Sequence, residues 1–247
     1  MTVMVELDHL SRSFGDLRAV DDISLTVNKG EVLGFLGPNG AGKTTTMRML
    51  AGFLKPTSGT ARVCGHDILS DSMQAKQALG YLPEGSPTYD EMTVAAFLNF
   101  IAQVRGYSGS DAKARVENVV QRLALTDVFE RPIELLSKGY RRRVGLAQSI
   151  LHDPPVLLLD EPTDGLDPNQ KHEVRTLIKA MSAEKAIIIS THILEEVEAI
   201  CTRAVIIGRG KLLADGTAEQ LRARLPGGSL DEVFRFITTG AAPQAAA

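Results

Sequence analysis

The sequence has little cysteine, no tryptophan and no long apolar segment. Its 247 residues include two cysteines, Cys64 and Cys201, which are far apart and show no C-x-x-C spacing. This pattern argues against a disulfide framework and favours free thiols in a reducing compartment. The apolar runs are far shorter than the roughly 20 residues needed to cross a bilayer. We therefore do not expect this sequence to span a membrane.

An excess of charge of one sign is also lacking. The formal net charge is -3, from 27 basic and 30 acidic residues, whereas a domain devoted to nucleic acid is usually strongly basic. We therefore expect no nucleic-acid partner. The first ten residues contain acidic side chains and have no apolar centre, so they do not resemble a secretory signal. A cytoplasmic location is expected.

The chain does contain short apolar strands that alternate with helical segments. The continuous apolar run at 32–36 is typical of a strand buried on both faces, and the segments 156–160 and 186–190, apolar up to a polar last residue, are also predicted to be strands. Strands that alternate with helices predict an α/β fold with a mostly parallel sheet. Residues 91–152 show helical spacing without a competing strand, which predicts an all-helical insertion in that fold.

A glycine-rich segment follows the first buried strand. GPNGAGKT, at residues 37–44, fits the P-loop pattern G-x-x-x-x-G-K-[ST] between a strand and a helix. In this pattern backbone N–H groups and the helix N-terminus face phosphate oxygens, the lysine reaches the terminal phosphates and the last hydroxyl ligates Mg²⁺. The predicted nucleotide-binding residues are Gly37, Pro38, Asn39, Gly40, Ala41, Gly42, Lys43, Thr44 and Thr45.

Two consecutive carboxylates end a later strand, in the segment VLLLDEP. A carboxylate at the C-terminal end of a parallel strand faces the crevice where such sheets bind ligands. We therefore expect Asp160 to hold Mg²⁺ and Glu161 to polarise the attacking water as a general base. These motifs do not separate kinases, GTPases and ATPases. NKGE at 28–31 precedes the P-loop and reads as a turn, which makes a guanine-specificity loop there implausible.

Five features in chain order resemble the ATPase subunits of ABC transporters. Phe14 stands before the P-loop, where that family has an aromatic residue that stacks on adenine, and YLPEG after the P-loop brings Glu84 to the Q-loop position. LSKGY at 136–140 takes the place of the signature motif. LLLDEPTDGLDP joins the Walker B strand to a D-loop with Asp167, and STH ends in the switch histidine, His192. The resemblance covers essentially the whole chain.

The resemblance implies a fold and a domain organisation. The fold is that of an ABC-type P-loop NTPase, in which a mostly parallel core sheet is joined by an N-terminal antiparallel β subdomain and an inserted α-helical subdomain. In this sequence a single domain would cover residues 1–239, with the helical subdomain at about 86–152. Residues 240–247 would form a disordered tail.

The resemblance also implies an activity and partners. ATP is hydrolysed with Mg²⁺ in a head-to-tail dimer, a homodimer in the simplest case, and the signature of one subunit closes over ATP held by the other. Permease subunits in the cytoplasmic membrane, bacterial in type, dock on the helical subdomain and convert this motion into transport. The implied catalytic residues are Glu161, His192 and Glu84; the metal ligands are Thr44, Glu84 and Asp160; and the signature residues are Ser137, Lys138, Gly139 and Tyr140.

Three positions depart from the usual family pattern, which has an LSGGQ signature and a glutamine in the Q-loop. Lys138 and Tyr140 alter the signature, and Glu84 is an acid in place of the amide. These variants resemble ABC-2-type exporters, including gliding-motility and multidrug-export ATPases, and so favour export. Two alternatives stay open: a soluble ABC ATPase of the repair, chromosome or translation type, and a nucleotide-binding regulatory subunit with little turnover.

Three consecutive arginines at 141–143 follow the signature. Successive residues on a helix are about 100° apart, so the three side chains cannot share one face. We expect at least one to meet solvent or a neighbouring acidic group, and the set to be solvated or to pair between subunits. Direct contact with nucleotide is the less favoured alternative, and contact with nucleic acid the least.

Overall fold

The computed structural model describes residues 2–225 and 227–240. The strands are β1 (Val3–Phe14), β2 (Leu17–Asn28), β3 (Val32–Leu36), β4 (Ser58–Val63), β5 (His66–Asp67), β6 (Leu79–Leu82), β7 (Val156–Asp160), β8 (Ala186–Thr191), β9 (Arg203–Gly208) and β10 (Lys211–Gly216). The helices are α1 (Lys43–Leu50), α2 (Ser72–Gln77), α3 (Val94–Val104), α4 (Gly109–Arg122), α5 (Lys138–Ile150), α6 (Pro168–Ser182), α7 (Leu194–Ile200), α8 (Ala218–Arg222) and α9 (Leu230–Thr239).

The central sheet has six strands in the order β10-β9-β3-β8-β7-β6. All neighbours are parallel except the β9–β10 hairpin. Strands β3, β7 and β8 are buried along their whole length, as their continuous apolar runs predict. Because parallel strands end at the same edge, the segments that follow β3, β8, β7 and β6 lie side by side. This edge positions the candidate site.

A second sheet is antiparallel throughout, with the order β2-β1-β4-β5. Alternate residues along its long strands are buried, among them Val5 and Leu7 of β1 and Ile23 of β2. They share one apolar core with Phe35 of β3 and Met47 of α1. This sheet therefore packs against the P-loop helix and the central sheet, and it is the antiparallel subdomain that the resemblance implied.

Helices α3, α4 and α5 lie between β6 and β7 in the chain. Their apolar faces form a core that includes Phe97, Leu98, Val116 and Val144. Thr93 starts α3, where its hydroxyl accepts a hydrogen bond from the N–H of Ala96 at 3.1 Å. The predicted fold class is confirmed by this arrangement of two sheets and a helical insertion.

The limits of the domain and of its helical subdomain stay predictions from the sequence. The limits of 86 and 152 for the helical subdomain stay a prediction, although α3 to α5 fall within them. Gly240 ends α9 with a left-handed backbone, and residues 241–247 of the predicted tail lie outside the described residues. Over the described part of the chain, no helix combines the length and apolar character that crossing a bilayer requires.

Candidate nucleotide site

The P-loop lies between β3 and α1, as the sequence predicts. Gly42 has a φ of 105°, a conformation that side-chain-bearing residues rarely adopt. A Cβ atom at this position would lie 2.5 Å from the carbonyl oxygen of Ala19. Glycine is therefore required twice at Gly42, by its backbone angle and by the close approach of the antiparallel subdomain. The turn directs the start of α1 into the crevice.

Lys43 is only 7% exposed and closes the loop from inside. Its Nζ donates to the carbonyl oxygens of Gly37 at 2.6 Å and Pro38 at 3.2 Å. Burial lowers the pKa of this ammonium, although the nearby carboxylates of Glu161 and Asp160 oppose the effect. A cation held by neutral carbonyl groups at the N-terminus of a helix is well suited to bind phosphate oxygens.

Asp160 ends β7 and is 1% exposed. Its Oδ1 accepts a hydrogen bond from the hydroxyl of Ser190 on the adjacent strand β8. Its Oδ2 is buried and has no hydrogen-bond partner among the residues that the structure describes. An unpartnered buried carboxylate oxygen is costly unless a cation or water completes it. Together with the Thr44 hydroxyl at the start of α1, these oxygens fit a divalent cation.

Glu161 directly follows β7 and has a left-handed backbone, with φ 52°. Its Oε1 lies 2.9 Å from Nδ1 of His192, which directly follows β8. Its Oε2 is buried and, over the described chain, has no partner. Such backbone angles cost about 1–3 kcal/mol and persist where the surroundings determine them. The neighbouring strands thus bring an acid and an imidazole together with one carboxylate oxygen left available.

Glu84 follows β6, the edge strand next to β7. The side chain is exposed, and it borders a cavity of about 490 Å³ that is also lined by Glu161, Lys138 and Asp164. The sheet therefore brings Glu84, the predicted Q-loop acid, to the same crevice as Glu161. No prediction from spacing alone could place them together, since 77 residues (161 − 84) separate them in sequence.

The signature segment begins α5. Ser137 is the N-cap, and its Oγ accepts a hydrogen bond from the N–H of Tyr140 at 3.4 Å. Lys138 is exposed and forms an ion pair with Asp164 at 2.8 Å. Tyr140 packs against the core of the helical insertion. The polar residues Ser137 and Lys138 thus face outward, while the role of Tyr140 in nucleotide binding stays a prediction.

Asp167, the predicted D-loop residue, caps α6. Its Oδ1 accepts hydrogen bonds from the N–H groups of Asn169 at 2.9 Å and Gln170 at 3.0 Å. Gln170 in turn lies against Gly139, where an added Cβ would be 2.3 Å from its Oε1. The D-loop and the signature segment therefore contact each other within one chain.

Phe14 ends β1 and is 46% exposed. The guanidinium of Arg12 lies 4.5 Å from the centre of its ring, and Arg12 donates to the carbonyl oxygen of Lys55 at 2.8 Å. This cation–π contact supports the ring in a fixed orientation. The predicted stacking of adenine on Phe14 stays a prediction.

The prediction that residues 141–143 are solvated or pair between subunits is wrong for Arg142 and Arg143, which are 6% and 8% exposed. Arg143 meets an acidic neighbour, Glu173 of α6, at 2.6 Å in the same chain. Arg142 donates instead to backbone carbonyl groups near the site. The groups that accept hydrogen bonds from Arg142 lie in loops distant in sequence, so no local pattern predicts its burial.

Comparisons with known proteins agree with this geometry. The family model described as "ABC transporter" matches residues 20–164. The ABC transporter ATP-binding protein NatA of Bacillus subtilis is 39% identical over 224 residues, covering 88% of this chain and 91% of the relative. The Nod factor export ATP-binding protein I of Ralstonia nicotianae is 33% identical over 234 residues, covering 94% and 73%. A solved ATP-binding subunit of an ABC transporter superposes with a TM-score of 0.87 at 29% identity, covering 95% and 99%.

The chain therefore belongs to the ABC transporter family. Within it the protein is an ATP-binding subunit with ATPase activity, which powers a transporter. The predicted family and the predicted enzyme class are confirmed. The named relatives are transporter subunits, so the comparison favours transport over a soluble repair, chromosome or translation ATPase and over a subunit with little turnover.

Proposed function

We propose that this protein is the ATPase subunit of a bacterial ABC exporter and that it works on the inner face of the cytoplasmic membrane. The single observation that carries the site assignment is the environment of the Glu161 carboxylate. One oxygen is held by His192, and the other is buried without a partner among the described residues. A carboxylate in that state, beside a P-loop, is suited to accept a proton from water.

The P-loop binds the triphosphate. Backbone N–H groups of the segment 37–45, in which Pro38 has none, face the phosphates, and Lys43 moves its ammonium from the carbonyl of Gly37 to phosphate oxygens. Phe14 stacks on the adenine ring. Bound Mg²⁺ would be held by Thr44, Asp160 and Glu84, and it would neutralise charge on the phosphate oxygens.

Glu161 acts as the general base of hydrolysis. Its free oxygen, Oε2, accepts the proton as the water attacks the terminal phosphorus and the bond from that phosphorus to the oxygen of ADP breaks, and His192 keeps the carboxylate in position through Oε1. The left-handed backbone of Glu161 turns its side chain towards the cavity that Glu84 also lines. This orientation is supported by the position of both residues at the carboxyl edge of the sheet.

A second subunit completes the site. Ser137 and Lys138 are exposed at the N-terminus of α5, where backbone N–H groups and the helix dipole favour an anion. We infer that these residues, with Gly139, meet the terminal phosphate of ATP bound by the other subunit of a head-to-tail homodimer. Asp167, which contacts the signature region through Gln170, would lie at the same interface.

The permease docks in a groove between the core and the helical subdomain. This groove has a volume of about 770 Å³, and its aromatic lining residues are Phe53, Tyr81, Tyr89, Phe97 and Phe100. Val104, at 65% exposure, adds a further apolar side chain. Lys76 and Arg105 border the groove. Its occupant is therefore an amphipathic cytoplasmic helix of the membrane subunit, with apolar residues and an acidic group.

Export is favoured over import by two observations. The relative from Ralstonia nicotianae is named for export. The signature and Q-loop variants at Lys138, Tyr140 and Glu84 resemble those of ABC-2-type exporters. The direction of transport therefore belongs to the proposal, whereas ATP-driven transport belongs to the family.

The proposal is tested with Glu161→Gln, which keeps the shape of the side chain and removes its basicity. We expect the Mg²⁺-dependent phosphate release of the purified subunit to fall about 10²- to 10⁴-fold, because a positioned general base contributes that much. In the presence of ATP and Mg²⁺ the same variant should form a dimer, and light scattering would detect it. Purified from detergent-solubilised membranes of the host, it should bring a multi-spanning membrane protein with it.

Two control variants make the result specific. Glu195→Gln changes an exposed carboxylate on α7 and should leave phosphate release unchanged. Val104→Glu, added to Glu161→Gln, should lose the membrane protein, with the ATP-dependent dimer measured in parallel as a check on folding. Equal rates for Glu161→Gln and wild type would contradict the site assignment. Recovery of ribosomes or DNA-bound proteins, with no membrane protein, would favour the soluble ATPase.

A further inference from the structure

Arg142 is a buried cation that lies between two loops of the site. It projects from the first turns of α5, and only 6% of the residue is exposed. Over the residues that the structure describes, it forms no ion pair, which is unusual for a buried charge. Its guanidinium carries five N–H donors in a rigid plane, and each buried donor requires an acceptor.

Each of the guanidinium nitrogens has an acceptor in one of two segments, 83–86 after β6 and 160–162 after β7. The acceptors are the carbonyl oxygens of Pro83, Asp160, Glu161 and Pro162 and the Oγ of Ser86. Nη1 donates to the first segment, to the carbonyl oxygen of Pro83 at 3.0 Å and to Ser86 Oγ at 2.7 Å. Nη2 and Nε donate to the carbonyl oxygens of the second segment. One side chain thus joins the Q-loop to the end of the Walker B strand.

Both joined segments contain a residue in the left-handed region. Ser86 has a φ of 47° and Glu161 a φ of 52°. Each of these conformations costs about 1–3 kcal/mol and persists only where neighbouring groups determine it. Arg142 bonds to the side chain of one and the carbonyl of the other, so it contributes to holding both.

Helix α5 gives the link a rigid base. One turn after Arg142, Gly145 approaches the Q-loop so closely that an added Cβ would lie 2.8 Å from Ser86 Cβ. The helix and the Q-loop are therefore in direct contact at this point. A displacement of the helical subdomain that moves α5 must also move Arg142 and the carbonyl groups it holds.

The choice of acceptors leaves the acids of the site available. Burial lowers the pKa of Arg142, although the charges of the nearby carboxylates oppose the effect, namely those of Asp160, Asp164, Glu161 and Glu84. The guanidinium nevertheless bonds to the backbone oxygens of Asp160 and Glu161. Over the described residues, Asp160 Oδ2 and Glu161 Oε2 therefore stay free for a cation and for water, while Glu161 Oε1 meets His192.

We propose that Arg142 is a positioning residue that couples the loop of Glu84 to the loop of Glu161, so that movement of the Q-loop reorients the general base. The inference rests on the proposed function, because it takes Glu161 as that base. Movement of the helical subdomain against the core is then transmitted to the catalytic carboxylate through one planar side chain.

Arg142→Lys tests this role because it keeps the charge and loses the planar fork of donors. We expect kcat for Mg²⁺-dependent phosphate release to fall about tenfold or more, since a misplacement of about 1 Å costs up to about a hundredfold in rate. KM for ATP should stay near the wild-type value, because the P-loop is not among the segments that Arg142 joins. Hydrogen exchange at residues 84–87 and 160–165 should rise together.

Arg143→Lys is the matched control. Arg143 is the next residue on the same helix and is equally buried, but it bonds to Glu173 and to the carbonyl of Leu123, outside the site. This variant should lower the melting temperature to a similar degree while its kcat and the exchange at both loops stay unchanged. A purely structural role of Arg142 would make the two variants behave alike.

The rate of phosphate release and the hydrogen exchange of Arg142→Lys decide the inference. A kcat of Arg142→Lys equal to that of Arg143→Lys, or exchange that rises in only one loop, overturns it. If Arg142→Lys does not fold, Ser86→Ala, which removes one acceptor, decides instead: a lowered kcat at unchanged KM supports the coupling, and an unchanged kcat refutes it. If Glu161→Gln keeps the wild-type rate, the proposed base is wrong, whereas the exchange data still report whether Arg142 joins the loops.

Discussion

The carboxyl edge of the central sheet and the N-terminus of α5 carry the two halves of the proposed site, and they differ in burial. At the sheet edge, Lys43 is 7% exposed and Asp160 1% exposed. At the helix start, Ser137 and Lys138 are exposed, and the side chain of Lys138 is 69% exposed in its ion pair. Lys43 and Asp160 of the first half are thus enclosed by their own chain, whereas Ser137 and Lys138 of the second half are open to solvent.

The difference indicates how the work is divided between the halves. Buried polar groups are held in place by hydrogen bonds, and the unpartnered oxygens of Asp160 and Glu161 are poised for added ligands. The exposed helix start has no such enclosure, so it acquires a fixed environment only when another surface covers it. A variant in the first half should impair the isolated subunit, whereas a variant in the second should impair only the assembled pair.

Among the variants that compare the two halves, the largest effect is expected from Asp160→Asn. The amide keeps the shape of the side chain but is a poor ligand for Mg²⁺, so metal-dependent phosphate release should fall about a hundredfold or more, since a bound metal supplies several kcal/mol in the transition state. The stimulation of ATP binding by Mg²⁺ should disappear in the monomer, measured by titration with and without the metal. Retention of this stimulation would show that the buried half is not the metal site.

An intermediate effect is expected from Ser137→Ala in the exposed half. Loss of the cap should cost about 1 kcal/mol of stability. Loss of a hydrogen bond to a charged phosphate, worth about 1.5–3 kcal/mol, should lower phosphate release about tenfold or more. ATP binding to the monomer should be unaffected, which separates this variant from Asp160→Asn.

Thr93→Ala provides the comparison for Ser137→Ala. Thr93 caps α3 through the same type of hydrogen bond but lies outside the proposed site. It should lose similar stability in denaturant unfolding and keep its rate of phosphate release. Equal losses of activity in the two variants would mean that Ser137 acts only as a helix cap.

The smallest effect is expected from Asp164→Asn, which breaks the exposed ion pair with Lys138. The free energy of unfolding at neutral pH should change by less than about 1 kcal/mol, as for other exposed pairs. The hydrogen bond from Lys138 lowers the pKa of Asp164, so its contribution to stability is present above the usual carboxyl pKa, about 4, and is lost as pH falls through the lowered value. The free energies of unfolding of the wild type and Asp164→Asn should converge at low pH. A difference that widens at low pH would contradict the stabilising role of this ion pair.

Much of the buried half could be predicted from local pattern. The strands predicted at Val32–Leu36 and Val156–Asp160 agree with β3 and β7 at both ends. No local pattern predicts strand β6 or helices α2 and α8, because they are short and lack a clear apolar period. Strand β6 is defined by its pairing with β7, a contact between segments more than seventy residues apart.

The sequence by itself determined the motifs that carry the chemistry, since a glycine-rich turn or a carboxylate after a buried strand depends on neighbours in the chain. It determined the order of these motifs, and with it the resemblance to the ABC family. Tertiary structure alone decided the environment of Arg142. Four of its five acceptors are carbonyl oxygens, which every residue possesses, so no side-chain pattern distinguishes them. Only the parallel sheet, by ending β6 and β7 at one edge, brings those carbonyls within reach of one guanidinium.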